Sequence, residues 1–181
     1  MKKRGVCIVI MAMIFCFISP IMSNAYDIDY CLREKVAPMS KNLKGKDDYN
    51  KILSDINRIR NNLYAININT ITAKDNALRL KKEINFHMSE FRNIQIQLNE
   101  LKREYSGSKS DILFIDQVNL TISNYQISLE DQLNLIELLV ADEREANSLF
   151  YSDSLGHIYY YVALGDQIMT YINSYYRIEL S

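Results

Sequence analysis

Apolar residues recur from Tyr49 to Tyr105 in alternating steps of three and four. The series is Tyr49, Ile52, Ile56, Ile59, Leu63, Ile66, Thr70, Ala73, Ala77, Leu80, Ile84, His87, Phe91, Ile94, Leu98, Leu101 and Tyr105. Only Thr70 and His87 interrupt it. A period of 3.5 held this long predicts an amphipathic helix with a heptad seam. Leu53, Ile68, Ile71, Leu78, Phe86, Met88 and Ile96 lie off the seam and widen it, which favours an intrachain bundle. One stretch is weak. Ile66 to Thr72 alternates like a strand and is made of mediocre helix formers, and Thr72-Ala73-Lys74-Asp75 resembles a capping box. The unbroken phase on both sides favours one continuous or kinked helix over two, ~85 Å long at 1.5 Å per residue.

Beyond Tyr105 the pattern marks two more helices. Ser106-Gly107-Ser108-Lys109-Ser110 reads as a turn, with Gly107 as C-cap and Ser108 to Asp111 as the next N-cap. The next helix, roughly 110–150, carries Ile115, Val118, Ile122, Tyr125, Leu129, Leu133, Ile136 and Val140. Leu135, Leu138 and Leu139 add bulk before Asp142 to Glu145 turn polar. Ser152-Asp153-Ser154 reads as a second break. The last helix, about 154–178, bears Tyr161, Leu164, Ile168, Tyr171, Tyr175 and Ile178 at helical spacing. The expected fold is all-α: an elongated helical hairpin or bundle of three to four long antiparallel helices with coiled-coil-like heptad packing, spanning 47–181 after an irregular lead-in at 26–46.

Charge refines the pairing. The e positions hold Arg60, Lys74, Lys81 and Lys102, while the g positions are acidic or neutral from Asp48 to Glu104. Antiparallel self-pairing would set like charges together. A parallel homodimer, or packing on another helix of the same chain, would not.

Residues 1–25 are a separate object. Lys2, Lys3 and Arg4 precede an apolar run from Val6 to Ile18, Pro20 and the small residues up to Ala25. This is the layout of a cleaved secretory signal peptide, and the run is short for a membrane span. The expected mature protein is therefore secreted or periplasmic and not membrane-bound. It would carry 18 basic and 22 acidic residues. That mild acidity lacks the footprint of a nucleic-acid binder. Cys7 and Cys16 would leave with the signal. Cys31 would remain alone, a candidate for an intermolecular disulfide.

Catalytic chemistry is sparse. No phosphate loop, nucleophile elbow, paired-cysteine spacing or dinucleotide fingerprint occurs, so no catalytic residue, cofactor or metal is assigned. His87 between Glu83 and Glu90 could contribute to a metal site, but a polar d position that sets register explains it better. Seven of the 13 tyrosines lie between Tyr151 and Tyr176. Tyrosine is enriched at interfaces, which makes Tyr159, Tyr160, Tyr161, Tyr171, Tyr175 and Tyr176 candidate interface residues. The expected function is non-enzymatic binding of protein partners, as a secretion-apparatus component, chaperone-like adaptor or surface interaction factor. The alternative is a small-ligand-binding or sensory four-helix bundle. That alternative needs a break at Ile68 to Thr72 and a pocket near the tyrosine-rich end.

Overall fold

The computed structural model describes residues 43–63, 68 and 72–176, with the backbone alone at 151 and 152. The signal-like segment, nearly all of the lead-in and Cys31 lie outside the described residues. The fold is all-helical, with no strand among the described residues. Helix α1 spans Lys46–Leu63, α2 Ala73–Glu104, α3 Lys109–Ala141, α4 Glu143–Leu149 and α5 Leu155–Tyr176. A π-helical turn, Phe150–Ser154, joins α4 to α5.

The 3.5-residue series becomes core almost without exception. Every described member from Tyr49 to Leu98 is buried, and Leu101 and Tyr105 are half-buried. Burial of that stripe, at roughly 25 cal/mol per Å² of apolar surface, is what drives α1 and α2 to fold. The helix itself is not continuous. α1 ends at Leu63 and α2 starts at Ala73, which corrects the expectation of one rod. Asn and Thr compete with the helical ladder through their own side chains, and the weak stretch holds both. Thr72 is the N-cap of α2, as the capping-box pattern placed it, but its side chain makes no cap hydrogen bond. Asn76 instead donates its Nδ2 to the Thr72 carbonyl at 2.9 Å.

The helices cross-link in a regular order. Lys102–Asp116, Gln95–Gln126 and Lys81–Glu137 join α2 to α3, the α2 number falling as the α3 number rises. Phe114–Tyr176, Tyr125–Asp166 and Ser128–Ile158 join α3 to α5 in the same sense. Tyr49–Phe114 and Arg60–Tyr125 join α1 to α3 with both numbers rising. Three of the four basic e positions thus meet acids on other helices of the chain: Arg60 on Asp166, Lys81 on Glu137 and Lys102 on Asp116.

Caps set the corners. Ser108 is the N-cap of α3 and accepts from the Asp111 N–H, as its pattern predicted. The break expected at Ser152 to Ser154 is elsewhere. α3 ends at Ala141, and Asp142 follows with an extended backbone as the N-cap of α4, its carboxylate accepting from the Glu145 N–H at 3.0 Å. From Glu143 to Tyr176 the chain stays helical, because 150–154 adopts π-helical bonding instead of opening.

Candidate functional site

α5 carries two apolar rows. Ile158, Gly165, Met169, Ile172 and Tyr176 are buried. The row read from the sequence, Tyr161, Leu164, Ile168, Tyr171 and Tyr175, lies on the flank. Tyr171 is 50% exposed and the others are half-buried. The inner row wins because Gly165 lets α5 approach α3. A Cβ there would sit 2.4 Å from Tyr125 Cε1. Tyr125 is fully enclosed, stacks on Phe91 at 5.7 Å and donates its hydroxyl to Asp166 Oδ1 at 2.8 Å.

The six candidate tyrosines therefore divide. Tyr160 (61% exposed), Tyr161, Tyr171 and Tyr175 form an outer strip, with Tyr160 against Tyr161 and Tyr171 stacked on Tyr175, each pair at 5.3 Å. Tyr159 points elsewhere, to the wall of a cavity. Tyr176 is core, edge-on to Phe114 at 4.9 Å, and burial pushes its phenol pKa up. On α3, Leu113, Leu120 and Ile127 are exposed at seven-residue spacing. Asp131 of α3 feels the charge of His157 at the start of α5.

The cavity lies where α1 ends. It measures about 180 Å³ and is walled by Leu63, Ile68, Leu135, Phe150 and Ile158, among others, with Arg60 and Gln132 as polar members. Arg60 is only 6% exposed. Its Nε and Nη2 grip Asp166 at 2.7 and 2.6 Å, a bidentate geometry that makes burial of the charge tolerable. Sequence reading missed this group. Asp166 is the one acidic residue of α5, which has no Lys or Arg, and that isolation was the available signal. Burial, more than the Asp166 hydrogen bond, raises the Tyr125 pKa, so its hydroxyl stays a donor.

Elsewhere the polar groups hold the fold. His87 is buried at its d position with its Nδ1 3.0 Å from Glu90 Oε2, while Arg58 of α1 donates to Oε1 of the same Glu90 at 2.9 Å. Glu83 pairs with Arg79 instead. His157 sits 3.8 Å from Asp153 at the surface. Among the described residues no group of three or more His, Cys, Asp or Glu side chains could hold a metal, and no helix is long and apolar enough to cross a membrane. No protein-family model, curated protein or solved structure matches the chain.

Proposed function

We propose that this protein is an exported, non-enzymatic bundle that works by binding another protein along the outer flank of α5 and α3. The cross-link order supports a bundle of four long antiparallel helices, α1, α2, α3 and α5, with heptad packing. The observation that carries the reading is the second heptad row on α5. Tyr161, Leu164, Ile168, Tyr171 and Tyr175 repeat as a core row does, yet none is fully buried, and Ile168 and Tyr175 only lean on the edge of the core. Rows in steps of three and four suit knobs-into-holes packing against a helix, so the occupant is an amphipathic helix of a partner with an apolar seam. The α3 part of that flank would be Leu113, Leu120 and Ile127. A partner drawn to the α1–α2 seam is disfavoured, since that seam is spent on the chain's own core.

A photo-crosslinking amino acid at Tyr160 or Tyr171, in cells exporting the full chain, tests this. The expected result is one discrete adduct at both positions, none at the control positions Lys82 and Arg92 on α2, and loss of the adduct on adding Leu164→Ser and Ile168→Ser. Equal adducts at all positions, or none at the tyrosines, overturns it. A second reading, a small-ligand-binding bundle, is favoured by the cavity beside Arg60 at the broken end of the first stripe.

A further inference from the structure

The cavity wall is constructed by an irregularity. The Leu155 N–H donates to the Phe150 carbonyl, a bond across five residues instead of four. On an α-helix, residues five apart point about 140° from one another. The wider π turn brings them closer to one face, and Phe150 and Leu155 both line the cavity. Without the π turn one of the two would turn away. A helix that bends its ladder to face two large apolar groups into a void has shaped the void. Such turns are rare and concentrate at functional sites.

Size and charge narrow the ligand. A dry cavity of roughly 150 Å³ lined by Leu, Ile and Phe can hold benzene. At about 180 Å³ this one suits a single substituted ring. Arg60 is already matched by the bidentate Asp166, so a ligand carboxylate would have to compete with Asp166 for the same guanidinium. Gln132, 5% exposed, holds its Nε2 at a long 3.4 Å from Ser128 Oγ. Its amide is the group best placed to bond a ligand hydroxyl or carbonyl. Tyr159, 60% exposed, stands where the cavity meets solvent.

We propose that the cavity between the end of α1 and the π turn binds a small uncharged, ring-sized, mostly apolar molecule through shape, with one hydroxyl or carbonyl on Gln132. This names the ligand class of the second reading above and rests on it, independently of the tyrosine strip.

The probes are p-cresol, toluene and benzoate, added to the purified full chain. Thermal unfolding and methyl NMR report on each. The expected result is a rise in Tm of several degrees with saturating p-cresol, methyl shifts centred on Leu135 and Ile158, and no such response to benzoate. Gln132→Leu is expected to weaken p-cresol about 10-fold, the worth of one buried hydrogen bond, and to leave toluene unchanged. Val162→Phe, which fills the void, is expected to abolish both. Methyl shifts mapped on the wild type keep the proposal falsifiable should Val162→Phe fail to fold. Benzoate binding as tightly as p-cresol overturns the ligand class but leaves a ligand site. No response to any probe, or shifts away from these methyls, overturns both.

Discussion

Asp111 makes a dense set of hydrogen bonds among the described residues, and its removal gives a sharp prediction. It is fully buried at the start of α3. Its carboxylate accepts from the Lys44 N–H at 3.0 Å, the Gly45 N–H at 3.1 Å and the Tyr49 hydroxyl at 2.8 Å, and from the Ser108 hydroxyl. It therefore ties the entry to α1 onto the N-terminus of α3, 66 residues away at Gly45. Hydrogen bonds to a charged acceptor contribute about 1.5–3 kcal/mol each, but four donors sharing two oxygens are not additive. Asp111→Ala leaves these donors buried without an acceptor, and the expected loss is about 3–5 kcal/mol. That is a large part of the roughly 5–15 kcal/mol of a typical domain. Ser108→Ala removes the helix cap and one of the four donors to Asp111, leaving the other three in place, and is expected to cost about 1–2 kcal/mol. Urea unfolding of both variants decides between a long-range latch and a local cap. Equal losses would refute the latch. The acid limb gives a second check. Burial alone would raise the Asp111 pKa, but the four hydrogen bonds outweigh it and hold the carboxyl below its ordinary value of 3.8. A lowered folded-state pKa stabilises above the unfolded value and loses that stabilisation as pH falls through the folded value. The gap between wild type and Asp111→Asn should be constant at neutral pH and close only below about pH 4. A gap that closes above pH 5 would contradict the assignment.

Two further substitutions test the α3–α5 contact. Gly165→Ala should destabilise by about 1–2 kcal/mol in chemical denaturation although alanine is the better helix former, because the added Cβ lies 2.4 Å from an immobile Tyr125. In a Tyr125→Leu background the same change should be neutral or stabilising, and an unchanged penalty would show that the clash is not its cause. Asp131→Asn should stabilise by about 0.5 kcal/mol at pH 7. Burial raises that carboxyl's pKa despite His157, and its Oδ2 has no hydrogen-bond partner among the described residues. A raised folded-state pKa makes the ionised form the costly one, so the advantage should vanish as pH falls through about 4. Thermal unfolding across pH reads both ends, and an advantage that grew in acid would reverse the argument.

Much of the core of α1 and α2 was legible, because a stripe in steps of three and four must be buried whichever partner covers it. Their separation was not. Steps that are free to be three or four can absorb the gap from Leu63 to Ala73, so unbroken phase across Ile66 to Thr72 carried no information about continuity. The polar members of the α3 core were also missed. Thr121, Asn124, Ser128 and Gln132 are buried because their side chains bond helix carbonyls or one another: Thr121 on Gln117, Asn124 on Leu120, Ser128 on Ile158 of α5, and Gln132 on Ser128. A hydropathy pattern scores such residues as surface, since it cannot see the satisfied bond that makes burial tolerable. The charge pattern argued only against antiparallel self-pairing and left a parallel homodimer or packing on another helix of the chain open; Arg60, Lys81 and Lys102 meet acids on α5 and α3.

α5 shows why the interior row was the harder one to read. Its two rows are equally apolar, and the one chosen from the sequence contains the larger side chains. The fold buries the smaller set, with Gly165 at its centre, because Tyr125 of α3 fills the space that a side chain there would have taken. Bulk on a helix normally goes where burial is deepest, since the gain scales with the area removed from water. Here Tyr171 stays half exposed, and Tyr161 and Tyr175 are only partly buried, along a row with the spacing of a packing seam. A helix needing only its own core could carry short polar residues at those positions and lose nothing. Large aromatic groups retained there are what the proposed partner helix would cover, each tyrosine burying its ring and keeping its hydroxyl at the rim.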